Sequence, residues 1–367
     1  MLKTMKFMNV LPKWLLIVLV AISGSGTSYA TIEGPVVPPL LRPAIMSRRI
    51  TESVLLSVTR AGSRLVAVGE HGYIIYSDDE GVTWQQASVP VAVTIIRAYF
   101  VSAQVGWAVG HQGVVLHTED GGKTWVKQLD GVKAANIALS KAKQRFSKAN
   151  NKKEPRILYM MKYAKGLVVD GPDKPFFDVY FKNEKDGFVI GAFNMIFKTK
   201  DGGETWEPWM DHVDNRAGYH LYAIGSDGSR LFIAGEQGLF LRSDDGGTTF
   251  YKLPTPYSGS YFGLSVLKDK EVLIYGLRGN AYLTKDAGFN WVEVRTGVRL
   301  SIMDAIECDD GTILMVSQSG EVLKFRNNLR TIEKVHVTEH YPFCGVEKVP
   351  KGILVVGFGG IELLPVK

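Results

Sequence analysis

The sequence predicts an all-β fold: a seven-bladed β-propeller carrying repeated Asp-boxes and one basic, partly helical insertion. Three observations predict it. A short acidic box recurs five times as "SDDEGVTW", "TEDGGKTW", "TKDGGETW", "SDDGGTTF" and "TKDAGFNW", ending at Trp84, Trp125, Trp206, Phe250 and Trp291. Fifteen residues before each terminal aromatic stands a glycine that closes a β-like run: Gly69, Gly110, Gly191, Gly235 and Gly276. Two later units keep the run without the box, with Ser317 and Gly357 at the marker position, and the steps between the seven markers are 41, 81, 44, 41, 41 and 40 residues. A fixed period near 41 with strand-like content is the mark of a radial array of small sheets. The step of 81 is one period plus an insertion of about 40 residues.

The chain opens with "MLKTMKFMNVLPKWLLIVLVAISGSGTSYA". Three lysines and no acid precede the apolar run Trp14 to Ile22, and small residues lead to Ser28-Tyr29-Ala30. This is the pattern of a Sec-type signal peptide over residues 1–30, with an apolar run too short to span a bilayer. The expected product is an exported, periplasmic chain of residues 31–367, forming one propeller and monomeric.

Each unit reads as four strands, A to D. In the second, "TIIRAYF", "GWAVG", "VVLHT" and "WVKQL" supply them in order. The last unit stops after its third strand, so residues 43–49, "PAIMSRR", are expected to serve as the missing outer strand of blade 7 and close the ring. Closure by a shared strand would remove a sheet edge.

The box is expected to be scaffold. The carboxylates of Asp79, Asp120, Asp201, Asp245 and Asp286 can accept bonds from nearby backbone N–H groups and hold the C–D turn. The glycine two residues on can take positive φ. The only two cysteines, Cys308 and Cys344, fall about four residues out of register on neighbouring inner strands, which favours two buried thiols over a disulfide.

Function, on this topology, belongs to the rim opposite the boxes, where B–C turns and D–A loops emerge. The expected binding residues are Glu70, His71, His111, Gln112, Phe193, Asn194, Tyr219, His220, Glu236, Gln237, Tyr261, Arg278, Gln318, His340 and Tyr341. Histidines, tyrosines and an arginine suit a recognition surface. The insertion, Gly131 to Pro172 between blades 2 and 3, shows near-helical spacing of Ile137, Ala138, Ala142 and Phe146. From Gly131 to Asp170 it holds ten Lys or Arg against two acids, a net +8. The whole chain carries +6, so less the three leader lysines the rest of the mature protein carries about −5. Lys141, Lys143, Arg145, Lys148, Lys152 and Lys153 are the expected contacts with an acidic partner or an anionic membrane. An insertion entering and leaving through one connection is expected to be removable with the core intact.

No catalytic set is legible. A sialidase needs an arginine cluster with a Tyr–Glu pair and a separate acid, and the starts of the inner strands offer Arg97 alone, with Asp178 and Asp304 at the equivalent place in other blades. His71 and His111 lack a third ligand for zinc, so neither metal nor cofactor is expected. Export argues against nucleic acid.

The longer pattern G-W-x-V-G-x-x-G-x-x-L-x-T-x-D-G-G-x-T-W, met closely by Gly106 to Trp125 and loosely by Gly187 to Trp206, resembles the photosystem II stability/assembly factor family. Its plant and cyanobacterial members are lumenal seven-bladed propellers that assist membrane-complex assembly, and exported relatives occur in non-photosynthetic bacteria, some beside RND-type exporters. The resemblance implies a non-enzymatic, protein-binding accessory factor for a membrane complex, an RND exporter among the candidates. The insertion departs from the family pattern. A carbohydrate-binding or sialidase-like propeller is the competing reading.

Overall fold

The computed structural model describes residues 37–326 and 329–365, and the expected signal peptide lies outside them. Seven antiparallel sheets follow one another along the chain, six of four strands and the last of three. The inner strands are Leu55–Ala61, Ile95–Phe100, Phe176–Phe181, Leu221–Ser226, Tyr261–Val266, Ile302–Glu307 and Phe343–Val349. Each packs on the next, and the seventh packs on the first, so the ring is closed.

The marker glycine has a steric cause. The N–H after the marker residue donates to the carbonyl just before strand A in all seven blades, blade 6 with Ser317 at the marker included; examples are His111 to Thr94 at 2.9 Å and Phe358 to Pro342 at 3.1 Å. This draws strand B so close that a Cβ on Gly69 or Gly110 would sit 2.1 Å from that carbonyl oxygen. At the opposite rim, the five boxes share one geometry. Asp79 accepts from the Thr83 amide at 2.8 Å and its hydroxyl at 2.6 Å, while Ser77 donates to the same carboxylate. Asp286 repeats this with Asn290. These donors hold the Asp79 and Asp286 carboxyls down at about 2. The glycine two residues on has φ between 80° and 99° in every box.

The boxes also join blades. The carbonyl of Gly121 in blade 2 accepts from Arg64 of blade 1, and Gly202 in blade 3 accepts from Trp107 of blade 2. Gly247 of blade 4 accepts from Trp209 of blade 3. Trp107 is fully buried and stacks on Phe181 of the next blade, with centroids 3.4 Å apart. In these three blades the box is therefore both a turn and a seam. Asp201→Ala should lower stability by about 1 kcal/mol, a water-facing turn bond being worth little more; chemical unfolding checks it, and full stability would refute the role.

Residues 43–49 form no strand. The segment instead follows the outer side of blade 1: Ala44 donates to Val89, Ala92 donates to Pro39, and the Gln86 side chain bridges Ser47 and Ile45. Leu40 is buried among Val89, Val91 and Val93, which gives this path its apolar seat. The turn that follows, Ile50–Glu52, reaches the seam between blades 1 and 7: Ile50 lies beside Leu55, Val349 and Leu354, and the Thr51 carbonyl sits against Gly360. Among the described residues blade 7 stays three-stranded, and the ring closes by face-to-face packing. Arg60 ties that seam, pairing with Glu80 at 2.9 Å and Glu347 at 3.3 Å and donating to Lys348 O.

The insertion is a helical hairpin, α1 (Gly131–Lys148) and α2 (Pro155–Asp170). Asp130 caps α1 by accepting from the Lys133 amide at 2.9 Å. Ala134, Ala138 and Ala142 of α1, with Met160, Ala164 and Leu167 of α2, are buried in one cluster with Leu129, Phe176 and Met210 of the blades. The hairpin is part of the core. Cys308 and Cys344 are free and buried, and burial pushes their thiols up to about 11 and 12.

Candidate functional site: the rim and the axis

Five of the B–C turns are built alike, as single helical turns Glu70–Gly72, His111–Gly113, Ala192–Asn194, Glu236–Gly238 and Leu277–Gly279. The middle residue of each has a left-handed backbone although none is glycine: His71, Gln112, Phe193, Gln237 and Arg278, with φ of 51° to 58°. Such conformations cost energy for side chains with a Cβ, and sites where they persist are candidates for function. His71, Phe193, Gln237 and Arg278 are exposed, and Gln112 is half-buried. His111, Gln318, His340 and Tyr341 are also exposed, while Glu70, Tyr219, His220 and Glu236 are half-buried. Several of the half-buried groups hold the loops: the Glu236 carboxylate accepts from the His220 amide at 3.1 Å.

Two expected rim residues turn inward. Tyr261 is fully buried, because strand A of blade 5 begins at that residue and pairs it with Gly276 before a bulge. Asn194 occupies the third turn position, held by glycine in the four sister turns, and is 1% exposed. Its amide donates to Met210 O at 3.1 Å, and its side-chain oxygen accepts from Asn215 at 3.0 Å.

Among the exposed rim residues, Phe193 has its backbone tied on both sides. It is 53% exposed. Its amide donates to His220 Nδ1 at 2.9 Å and its carbonyl accepts from the Tyr163 hydroxyl of α2 at 2.9 Å. From it an aromatic chain runs towards the axis: His220 at 4.5 Å, then Phe177, Tyr222 at 5.2 Å from Phe177, and Phe262 at 5.3 Å from Tyr222. The last three follow the first residue of strand A in blades 3, 4 and 5, and all are half-buried. A bulge shifts register at the start of these inner strands, between Tyr261 and Gly263 in blade 5, and leaves Phe177 and Phe262 partly accessible.

On the axis the inner strands bring charges together. Arg97 of blade 2 lies between Asp178 of blade 3, at 3.7 Å, and Asp304 of blade 6, at 3.4 Å. Asp178 also accepts from the Ile224 amide of blade 4 at 2.9 Å, and Asp304 from the Val346 amide of blade 7 at 3.2 Å. Burial opposes the charge on Arg97, but Asp304 and Asp178 outweigh it and hold the guanidinium more firmly protonated than a free arginine. For Asp178 burial prevails and its carboxyl is raised despite Arg97. The arginine that a sialidase would turn on a substrate carboxylate is already engaged by two carboxylates of the chain.

The insertion's basic residues divide. Lys141 pairs with Glu207 at 2.5 Å, and Arg145 and Arg156 both reach Asp211, at 2.5 and 2.7 Å. Lys141 and Arg145 are thus committed within the chain, unlike Lys143, Lys148, Lys152 and Lys153, which are exposed. A cleft of about 910 Å³ lies beside this cluster, between α2 and the blade 3–4 connection, lined by Tyr159, Asp211, His212 and Arg216 among others.

Comparison with known proteins places this architecture. The chain shares 28% identity over 161 residues with the photosystem II assembly lipoprotein Ycf48 of Synechococcus sp. (strain CC9902), covering 43% of this chain and 48% of that one. It shares 27% over 109 residues with the chloroplastic photosystem II stability/assembly factor HCF136 of Arabidopsis thaliana, 29% of this chain and 27% of that one. The chain thus spans about half the length, or less, of these curated relatives. In fold it is similar to a solved YCF48 bound to D1 peptide, with a TM-score of 0.60, 16% identity, and coverage of 86% of this chain and 94% of that one. The WD40 propeller domain of Doa1 is matched at a TM-score of 0.59 and 10% identity, over 88% of this chain and 95% of that one. Residues 77–158 and 167–336 match the family described as photosynthesis system II assembly factor YCF48. With its boxes, its seven blades and that match over most of its length, the chain belongs to the Ycf48 family of photosystem II assembly factors.

Proposed function

We propose that this protein is a non-enzymatic, exported assembly factor that binds an exposed segment of a membrane protein complex through the rim opposite the Asp-boxes. The observation that carries the reading is Phe193, an exposed aromatic kept in a left-handed conformation by bonds on both sides of its backbone. A rigid aromatic with its ordering cost met in advance is what a binding hot spot requires. The arc behind it, through Phe177 to Phe262, would take apolar side chains of an extended segment, with Arg278 and His71 at the polar margin. A relative of similar fold solved with D1 peptide is consistent with such a partner. Identifying what is captured decides between a photosystem and an RND-type exporter as the complex. Crosslinking capture from a membrane fraction tests the reading. Phe193→Ala with Arg278→Ala should reduce capture by about 30-fold or more, while Asp201→Ala leaves capture by the folded fraction unchanged. Undiminished capture by the rim variant, at unchanged melting temperature, would refute it.

A further inference from the structure

We propose that the outer face of the α1–α2 hairpin docks the protein onto an anionic lipid surface, with the hairpin lying flat in the headgroup plane. This inference stands apart from the rim reading and needs no protein partner. The hairpin's fixed ion pairs take up Lys141, Arg145 and Arg156 on its inner side. Apart from Lys133, which donates to Gln128 O, its remaining cations face outward. Lys143, Lys148, Lys152, Lys153, Lys162 and Lys165 are all exposed, and none has a carboxylate partner among the described residues. Lys152 alone has a fixed contact, over the Phe146 ring at 5.6 Å.

Apolar side chains share that surface. Leu158, Lys162, Lys165 and Val169 are spaced four, three and four apart, which lines them along one side of α2. Leu158 is 47% exposed and Val169 85%. Val132, at the start of α1, is 49% exposed, and the approach of Gly131 to Pro172 sets it at the same end of the hairpin as Val169. Lysines interleaved with single aliphatic residues along a solvent-facing helix are the composition of an interfacial helix. The stems can lie over the apolar residues while the ammonium groups reach lipid phosphate. An acidic protein would satisfy the lysines but leave Val169 and Leu158 unexplained.

The charge division strengthens the choice. The hairpin carries +8, and the chain outside it and the leader about −5. An anionic surface would therefore attract the hairpin and repel the rest, fixing one orientation.

Flotation of the full chain with vesicles tests this, using phosphatidylcholine alone and phosphatidylcholine with about 30 mol% phosphatidylglycerol, an anionic leaflet. Wild type should partition at least about tenfold more strongly onto the anionic vesicles, and the excess should shrink when salt shortens the screening length. Each basic residue near such a surface contributes about fivefold. Neutralising Lys143, Lys148, Lys162 and Lys165 to Gln should therefore remove nearly all of the excess, with circular dichroism unchanged. Leu158→Ser with Val169→Ser should weaken the binding that survives high salt. The leader, with three lysines of its own, is common to every variant and drops out of the comparison between wild type and variant. Equal partition of wild type onto both vesicles, no partition at all, or anionic binding that the lysine variant retains would each overturn the proposal.

Discussion

Arg97→Met should destabilise the propeller by about 3 kcal/mol, since removing one partner of a buried ion cluster leaves the others uncompensated. Asp178 and Asp304 are 7% and 3% exposed and would face each other across the axis without their cation. The melting temperature should fall by roughly 5–10 °C. Acidity provides the second test. The folded-state carboxyl of Asp178 is already raised, and loss of Arg97 raises it further. A raised carboxyl adds stability below its unfolded value near 3.8 and loses it as pH climbs through the folded value. The deficit of Arg97→Met should therefore narrow from about pH 7 towards about pH 4. Below that, Asp79 and Asp286, held down at about 2, lose their own contribution in both proteins, so the comparison stops there. The triple change Arg97→Met, Asp178→Asn and Asp304→Asn removes all three charges together and should recover much of the loss. A constant deficit across that range would show that the axis is held by packing alone.

Replacing Gly131–Pro172 by a short Gly/Ser loop should cost at least about 4 kcal/mol, because the hairpin buries Met160 and Leu167 against the blades and each such side chain is worth about 2–5 kcal/mol. The change would also strip Arg145 and Arg156 from Asp211, whose carboxylate is 2% exposed. Against the sequence-based expectation of an appendage removable with the core intact, this packing makes the hairpin part of the core. Thermal unfolding of the replaced chain, with Met160→Ala and Leu167→Ala as milder probes, measures the effect. Wild-type melting of the loop-replaced chain would contradict the packing argument.

The parts of the fold that repeat were legible. Five boxes and seven markers gave the blade count because each is a local solution repeated at one period. What escaped were the places where blades meet. Trp107 reads as a strand residue, and nothing along the chain says that its indole donates to Gly202 in the next blade. Arg97, Asp178 and Asp304 were visible at equivalent positions, but only ring closure brings blades 2, 3 and 6 together on the axis. Tyr261 was misplaced by the bulge, a one-residue change that turns a side chain to the other face. Asn194 carried a signal that could have been used: glycine holds its place in four sister turns, which marks a crowded position with positive φ. The N-terminal path depended on Leu40 finding a seat on blade 1, a tertiary preference that three nearby prolines, Pro38, Pro39 and Pro43, do not reveal beyond disfavouring a strand.

The seam between blades 1 and 7 bears on how the ring comes into being. Its closing contacts, such as Arg60 with Glu347, join positions 287 residues apart, and among the described residues no shared strand commits blade 7 to blade 1 beforehand. The other six junctions link neighbours in sequence and can form one after another. Contacts of such long separation reward the chain only after its loop-closure entropy has been spent. Ring closure should therefore be the final and slowest event of folding. Until then the molecule is an open arc, its two end faces bare and ready to stack on those of another copy.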